Sequence, residues 1–247
     1  EAGAVIGEAF DTYRKFIGPL LGGAVIVIGV AAVINGLLGL SESLVLVLLG
    51  SLISFAAAFL YAGYVVKLVQ DVRDGRRDDT VGELLSAAAP FVGTLILNGI
   101  LAAIAITIGF IFLIVPGLIL LTIWAVISPS IVVENRGAIE AFGRSRELVR
   151  GNGWSVFGAI VLAFLIVVAV SIVAGIIGAA IGDAGRVILQ AIANVLTAPV
   201  AALVASILFF DLGGGPAAPP PGPPPSAPPP EAPPPSAPPP DAPPPAA

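Results

Sequence analysis

The sequence predicts an all-α fold, a polytopic membrane bundle of six transmembrane helices with short interfacial amphipathic helices. Three observations carry that prediction. Of the 247 residues, 57% are hydrophobic and only 11% are charged, whereas a soluble domain carries about 25% charge. The apolar residues fall in uncharged blocks, each near the roughly 20 residues that a helix needs to cross a hydrocarbon core about 30 Å thick. Finally, the basic residues gather on one side of those blocks.

The first span, 19–40, follows Arg14 and Lys15, and the second, 44–69, follows the short polar stretch Ser41-Glu42-Ser43. A cleaved signal peptide is the rival reading of the first block. The block is longer than the 7–15 residues of a signal core, and no clear small-residue cleavage site follows it. The chain begins at Glu1 and contains no methionine, so we expect a fragment or a processed form.

Residues 91–133 contain no charged side chain. A single helix of that length would extend about 65 Å, twice what a bilayer needs. We therefore divide it into spans 91–114 and 117–133, turning at Pro116-Gly117. Spans 154–181 and 187–210 complete a membrane domain over residues 1–212.

Charge supports the count independently. Arg14 and Lys15 precede span one; Lys67, Arg73, Arg76 and Arg77 lie between spans two and three; Arg136, Arg144, Arg146 and Arg150 lie between spans four and five. Only Arg186 falls on the opposite side. The positive-inside rule then places both termini in the cytoplasm. Heavy use of Ala, Gly, Val, Pro and Arg over Lys points to a GC-rich bacterial genome, hence to a bacterial cytoplasmic membrane.

The basic segments resemble one another. Gly7-Glu8-Ala9-Phe10 leads to Arg14 and Phe16-Ile17-Gly18; Gly82-Glu83-Leu84-Leu85 leads to Phe91-Val92-Gly93; Ile139-Glu140-Ala141-Phe142 leads to Arg146 and Leu148-Val149. The expected unit is a surface helix followed by a two-span hairpin, repeated three times in parallel. In the first, Val5, Ile6, Ala9, Phe10, Tyr13 and Phe16 share a face; in the second, Val81, Leu84, Leu85, Ala88, Phe91 and Val92 do. Thr80 and Glu83 form a capping box at the start of the second. Such helices lie among headgroups with the apolar face down. Parallel repeats differ from the inverted repeats found in many secondary transporters.

Chemistry is constrained by what is missing. There is no His and no Cys, so the usual near-neutral acid–base group, a thiolate nucleophile and Cys or imidazole metal ligands are all absent. No phosphate-binding or dinucleotide motif occurs. We expect no catalytic, cofactor-binding or metal-binding residues, and no nucleic-acid partner. The span interiors contain no ionisable side chain, which argues against a midplane proton or ion relay. Their polar residues, including Asn35, Ser54, Asn98, Thr107, Thr122, Gln190, Asn194 and Thr197, read as interhelical hydrogen-bond formers. Pro129 and Pro199 are expected to kink spans four and six.

The segment between spans four and five is the most distinctive polar one. Glu134, Arg136, Glu140, Arg144, Arg146 and Arg150 are the candidate contacts for anionic lipid headgroups or a protein partner. A plain positive-inside anchor explains the arginines equally well.

Nineteen of the 24 prolines lie in the last 32 residues. Residues 213–247 read as a disordered Pro-rich tail, an extended polyproline II spacer reaching on the order of 100 Å at ~3.1 Å per residue. Its PxxP cores make it the candidate contact for a protein partner, but no adjacent Arg or Lys orients one, so a passive spacer is favoured.

The run Pro116-Gly117-Leu118-Ile119-Leu120-Leu121, with Trp124, Ser128-Pro129, Val133-Glu134-Asn135, Ala138-Ile139-Glu140-Ala141-Phe142, Ser145-Arg146 and Gly151-Asn152-Gly153-Trp154, resembles a bacterial six-span family, the glycerophosphoryl diester phosphodiesterase membrane domain. The likeness covers roughly residues 1–212, and Phe209-Phe210-Asp211-Leu212 resembles the ending of the family's last span. The family continues there with arginine, whereas this chain has Gly213 and the tail, which weakens any role for that terminus. The phosphodiesterase chemistry of fused members belongs to a separate soluble domain. The resemblance therefore implies a stand-alone membrane domain of unknown activity. Three functions stay open: a non-enzymatic organiser of lipids or proteins, which we favour; a permease or lipid-handling transporter; and an enzyme acting on lipid headgroups.

Overall fold

In lipid every backbone polar group must find a partner within the protein, which leaves the helix as the natural form for apolar blocks of this length. The computed structural model describes residues 2–39, 41, 43–74 and 79–215, without the side chains of 183, 184, 186 and 187. Arg76, Arg77, the Arg186 side chain and the prolines from Pro216 onward lie outside the described residues. The described residues form eleven α-helices in order: α1 Ala2–Lys15, α2 Ile17–Ala24, α3 Val30–Gly39, α4 Leu44–Asp74, α5 Val81–Ala88, α6 Val92–Phe112, α7 Ile114–Ile123, α8 Ile127–Glu134, α9 Ala138–Val149, α10 Gly153–Ile181 and α11 Asp183–Asp211.

Among the described residues, six stretches are long and apolar enough to cross a membrane: Ile17–Gly39, Leu44–Asp74, Val81–Phe112, Ile114–Glu134, Gly153–Ile181 and Ile188–Asp211. Their outward faces carry large apolar side chains such as Leu44, Val45, Ile111 and Phe112, each at least 70% exposed. The chain is thus an all-α polytopic bundle solvated by lipid. Since lipid tails are as apolar as leucine, packing and hydrogen bonds hold the helices together. Small residues permit close approach. A Cβ on Gly23 would sit 2.5 Å from the Tyr64 ring, and one on Gly109 would sit 3.0 Å from the backbone nitrogen of Gly117.

Prolines divide the spans differently from the sequence expectation. The turn between spans three and four falls at Leu113, which is extended at φ −163°, ψ 145°, not at Pro116-Gly117. Span four is broken between Ile123 and Ile127, upstream of Pro129. One rule explains both. A proline ring clashes with the carbonyl four residues earlier, which is Phe112 for Pro116 and Ala125 for Pro129. Each proline then sits in the first turn of the next helix, where its missing N–H removes no ladder bond. Pro199 instead lies inside α11, which runs on without interruption.

Each surface helix precedes a span. The apolar face of α1 packs on α10 and α11 and buries Val5 and Ala9, while Phe10 points outward at 61% exposure. The first helix therefore presents much of its apolar face to the protein rather than to headgroups. α5 buries Leu84 and Ala88 against α4 and begins with the expected capping box: Glu83 N donates to Thr80 Oγ1 at 3.3 Å, and Thr80 N donates to Glu83 Oε2 at 2.7 Å. It is not a detached element, because the single 3₁₀ turn Ala89–Phe91 carries it into α6.

Most span polar groups do not bridge helices as expected. Thr122 donates to Leu118 O, Thr197 to Ala193 O, and Gln190 to Asn194, all within one helix. Asn98 does cross, donating to Ala138 O at 2.6 Å. The other bridging is done by hydroxyls aimed at carbonyls beside irregular turns. Tyr61 and Tyr64 of α4 donate to Leu20 O at 3.0 Å and Pro19 O at 2.7 Å, just before the π-helical turn Val25–Gly29. Tyr13 reaches Leu196 O, one turn before Pro199, at 3.1 Å.

Candidate functional site

The polar segment predicted between spans four and five folds into one compact layer. α8 ends at Glu134, and Asn135 takes a left-handed φ of 53°, a conformation asparagine tolerates better than most residues with a Cβ. That reversal sends the chain through Arg136 and Gly137 into α9, where Ala138, Ala141, Ser145, Leu148 and Val149 form the buried face. Glu140 Oε2 accepts from Gly137 N at 3.3 Å, placing a carboxylate at the positive end of the helix.

Glu134 faces into the protein, its side chain only 3% exposed. Arg144 holds it with a two-pronged grip: Nη2 donates to Oε1 at 2.8 Å, and Nε donates to Oε2 at 2.8 Å and Oε1 at 3.0 Å. Arg136 Nε adds a bond to Oε2 at 3.3 Å. The Glu134 hydrogen bonds raise the Arg144 guanidinium pKa above its ordinary value. A buried carboxylate tied to a planar guanidinium is a geometric lock. It has no oxygen left over for a headgroup or a reacting water.

Ser145 closes the break in span four. Its hydroxyl donates to Ile123 O at 2.8 Å and accepts from Val126 N at 3.3 Å, so one side chain satisfies both sides of the gap. Trp124, inside that gap, packs edge-on against Phe142 with ring centroids 4.7 Å apart. Sequence reasoning passed over Ser145 as a functional position. Its place on the apolar face of α9, between Ala141 and Leu148, was the available signal.

Arg146 and Arg150 take neither role. Both are exposed, and together with Glu147 they line a cavity of about 470 Å³ beside Ile123, Gly151 and Gly153. Neither makes an ion pair among the described residues, while Glu147 lies 3.6 Å from Arg144 Nη1. The six predicted residues thus separate into a lock (Glu134, Arg136, Arg144), a helix-start contact (Glu140) and two outward cations (Arg146, Arg150).

A second polar cluster joins three distant parts of the chain. Arg73, near the end of α4, donates to Glu8 of α1 at 2.7 Å and to Asp211 of α11 at 3.2 Å, with its guanidinium 4.9 Å from the centroid of the Phe210 ring. Gly213 at φ 85° ends the last helix, with Gly213 N donating to Phe210 O and Gly214 N to Phe209 O. This Schellman ending leaves Asp211 on the final turn, within reach of Arg73.

The cavities between the helices are mainly apolar. One of about 280 Å³ lies between α1, α10 and α11, under Phe10 and Tyr13. Another of about 320 Å³ is lined largely by alanines, with Tyr61 and Ser128 as its polar residues. No group of three or more carboxylates that could hold a metal occurs among the described residues.

No curated protein and no solved structure matches the chain. A family model matches residues 40–203, from the start of the second span into the last one. Over well more than half its length, the chain therefore belongs to the Uncharacterised protein family UPF0259.

Proposed function

We propose that this protein is a non-enzymatic membrane domain that organises lipids at the headgroup layer, on the cytoplasmic side where both termini would lie. One observation carries the reading: the polar chemistry gathers at the surface-helix end, as closed ion clusters plus the outward cations Arg14, Lys15, Arg146 and Arg150, while the cavities among the helices are walled mainly by apolar side chains. A headgroup enzyme would have to use Glu134, Glu140 and the nearby arginines; both Glu134 oxygens are engaged by arginines, and Glu140 Oε2 accepts from Gly137 N. The resemblance to the phosphodiesterase membrane domain fits the same reading, as does treating the three surface-helix hairpins as copies of one unit.

A lipid-handling transporter is the second reading, and one feature favours it. The broken fourth span, the π-helical turn that carries Ile28 and the region of Pro199 converge on the alanine-lined cavity, and discontinuous helices are common in transporters. Its lining offers little to bind a polar solute. The test is to purify the protein in mild detergent and quantify the lipids it retains, then reconstitute it in vesicles carrying a labelled lipid. Enrichment of a lipid class over the bulk membrane, with no faster movement of lipid between leaflets, is expected. Accelerated movement would replace the proposal with the transporter, and retention matching the bulk membrane would end it.

A further inference from the structure

Two cavities share a mouth. An apolar groove of about 590 Å³ runs between α7 and the start of α10, walled by Val115, Leu118, Ile119, Ile123, Trp154 and Phe157. The polar cavity under Arg146 and Arg150 meets it at Ile123, Gly151 and Gly153. Val115, Leu118, Ile119, Thr122 and Ile123 recur at the spacing of one helix face, so the apolar part follows about 12 Å of α7 at 1.5 Å per residue. The chain turns between α9 and α10 at Gly151, whose φ is 90°. That turn sets Arg150 and Trp154 at the same opening.

Charge and surroundings select the occupant. Val115, Ile119 and Trp154 are 60%, 54% and 88% exposed on membrane-crossing helices, so the groove opens sideways into lipid. A tryptophan at the first turn of a span marks the headgroup boundary. Two guanidiniums without ion-pair partners among the described residues stand there, and a planar guanidinium matches phosphate oxygens in bidentate fashion. Glu147 on the same rim opposes them, but its carboxylate lies towards Arg144.

Building on the lipid-organising reading, we propose that this groove holds one anionic phospholipid, with its phosphate and headgroup between Arg146 and Arg150 and an acyl chain along α7. Moving an acyl chain from bilayer to groove gains no hydrophobic free energy, because both are apolar. The groove therefore orients the lipid and the arginines choose it. At roughly fivefold per cation near the headgroup plane, the pair gives a preference of roughly 25-fold for anionic over zwitterionic lipid.

Trp124 and Trp154 are the two tryptophans, so a W124F background isolates Trp154 fluorescence. In zwitterionic nanodiscs, phosphatidylglycerol with brominated acyl chains should quench Trp154 at a mole fraction roughly 25-fold lower than brominated phosphatidylcholine. R146Q/R150Q should abolish the difference, and R136Q, in the same layer but committed to Glu134, should keep it. Native mass spectrometry of R146Q/R150Q with both tryptophans present should show the same loss of retained anionic lipid. Equal quenching by the two brominated lipids, or a preference that survives R146Q/R150Q, overturns the site. Those outcomes leave the broader proposal standing, whereas a wild-type protein that enriches no lipid class removes both.

Discussion

Arg144 and Arg73 each hold a carboxylate on another helix, yet their surroundings give the same chemistry different work. Arg144 grips a glutamate that is 3% exposed. Arg73 joins Glu8 and Asp211, where the three side chains are 34%, 47% and 39% exposed. A buried carboxylate stripped of its partner keeps its full desolvation cost, about 3–5 kcal/mol. An exposed pair contributes about 0–1 kcal/mol and weakens with salt. The first cluster therefore fixes how α8 meets α9, and the second trims the junction of α1, α4 and α11.

The largest effect expected is for R144Q, which leaves the buried Glu134 with only the 3.3 Å bond from Arg136: a loss approaching about 3–5 kcal/mol, read as a large fall in melting temperature and in the yield of folded protein from detergent. Adding E134Q to that variant should recover much of the loss, because a neutral amide in place of the buried carboxylate removes the unpaired charge. Failure of the double variant to recover would break the comparison, since the damage would then come from lost packing rather than charge. S145A should rank next, at about 1–3 kcal/mol for leaving Ile123 O or Val126 N unsatisfied, measured by thermal unfolding and by faster hydrogen exchange at Val126. R73Q should be smallest, under about 1 kcal/mol, with the difference from wild type shrinking further in high salt. An R73Q loss as large as that of R144Q would show that the exposed cluster is as much a lock as the buried one.

How much of this was legible in the sequence depended on the range of the force involved. Lipid solvation acts residue by residue, so six apolar stretches and the start of α5 at Thr80 could be read directly. Helix breaks were misplaced because a proline acts one turn upstream, moving the turn from Pro116 to Leu113 and the fourth-span gap to Trp124–Val126. The candidate site was found as a segment but not sorted. Spacing put Glu134, Arg136 and Arg144 within one polar stretch, and only the left-handed turn at Asn135 showed that Glu134 points inward. Arg73 with Glu8 and Asp211 was invisible because its members are separated by 65 and 138 residues, and no local pattern encodes such a meeting.

The separation of locking arginines from headgroup arginines is tested most directly by thermal unfolding of wild type, R73Q and R146Q/R150Q in nanodiscs of zwitterionic lipid, with and without added anionic phospholipid. A ligand that binds only the folded state raises its melting temperature. The expected result is an equal rise for wild type and R73Q and none for R146Q/R150Q. Equal rises in all three would contradict it, and would return Arg146 and Arg150 to the plain role of topology anchors.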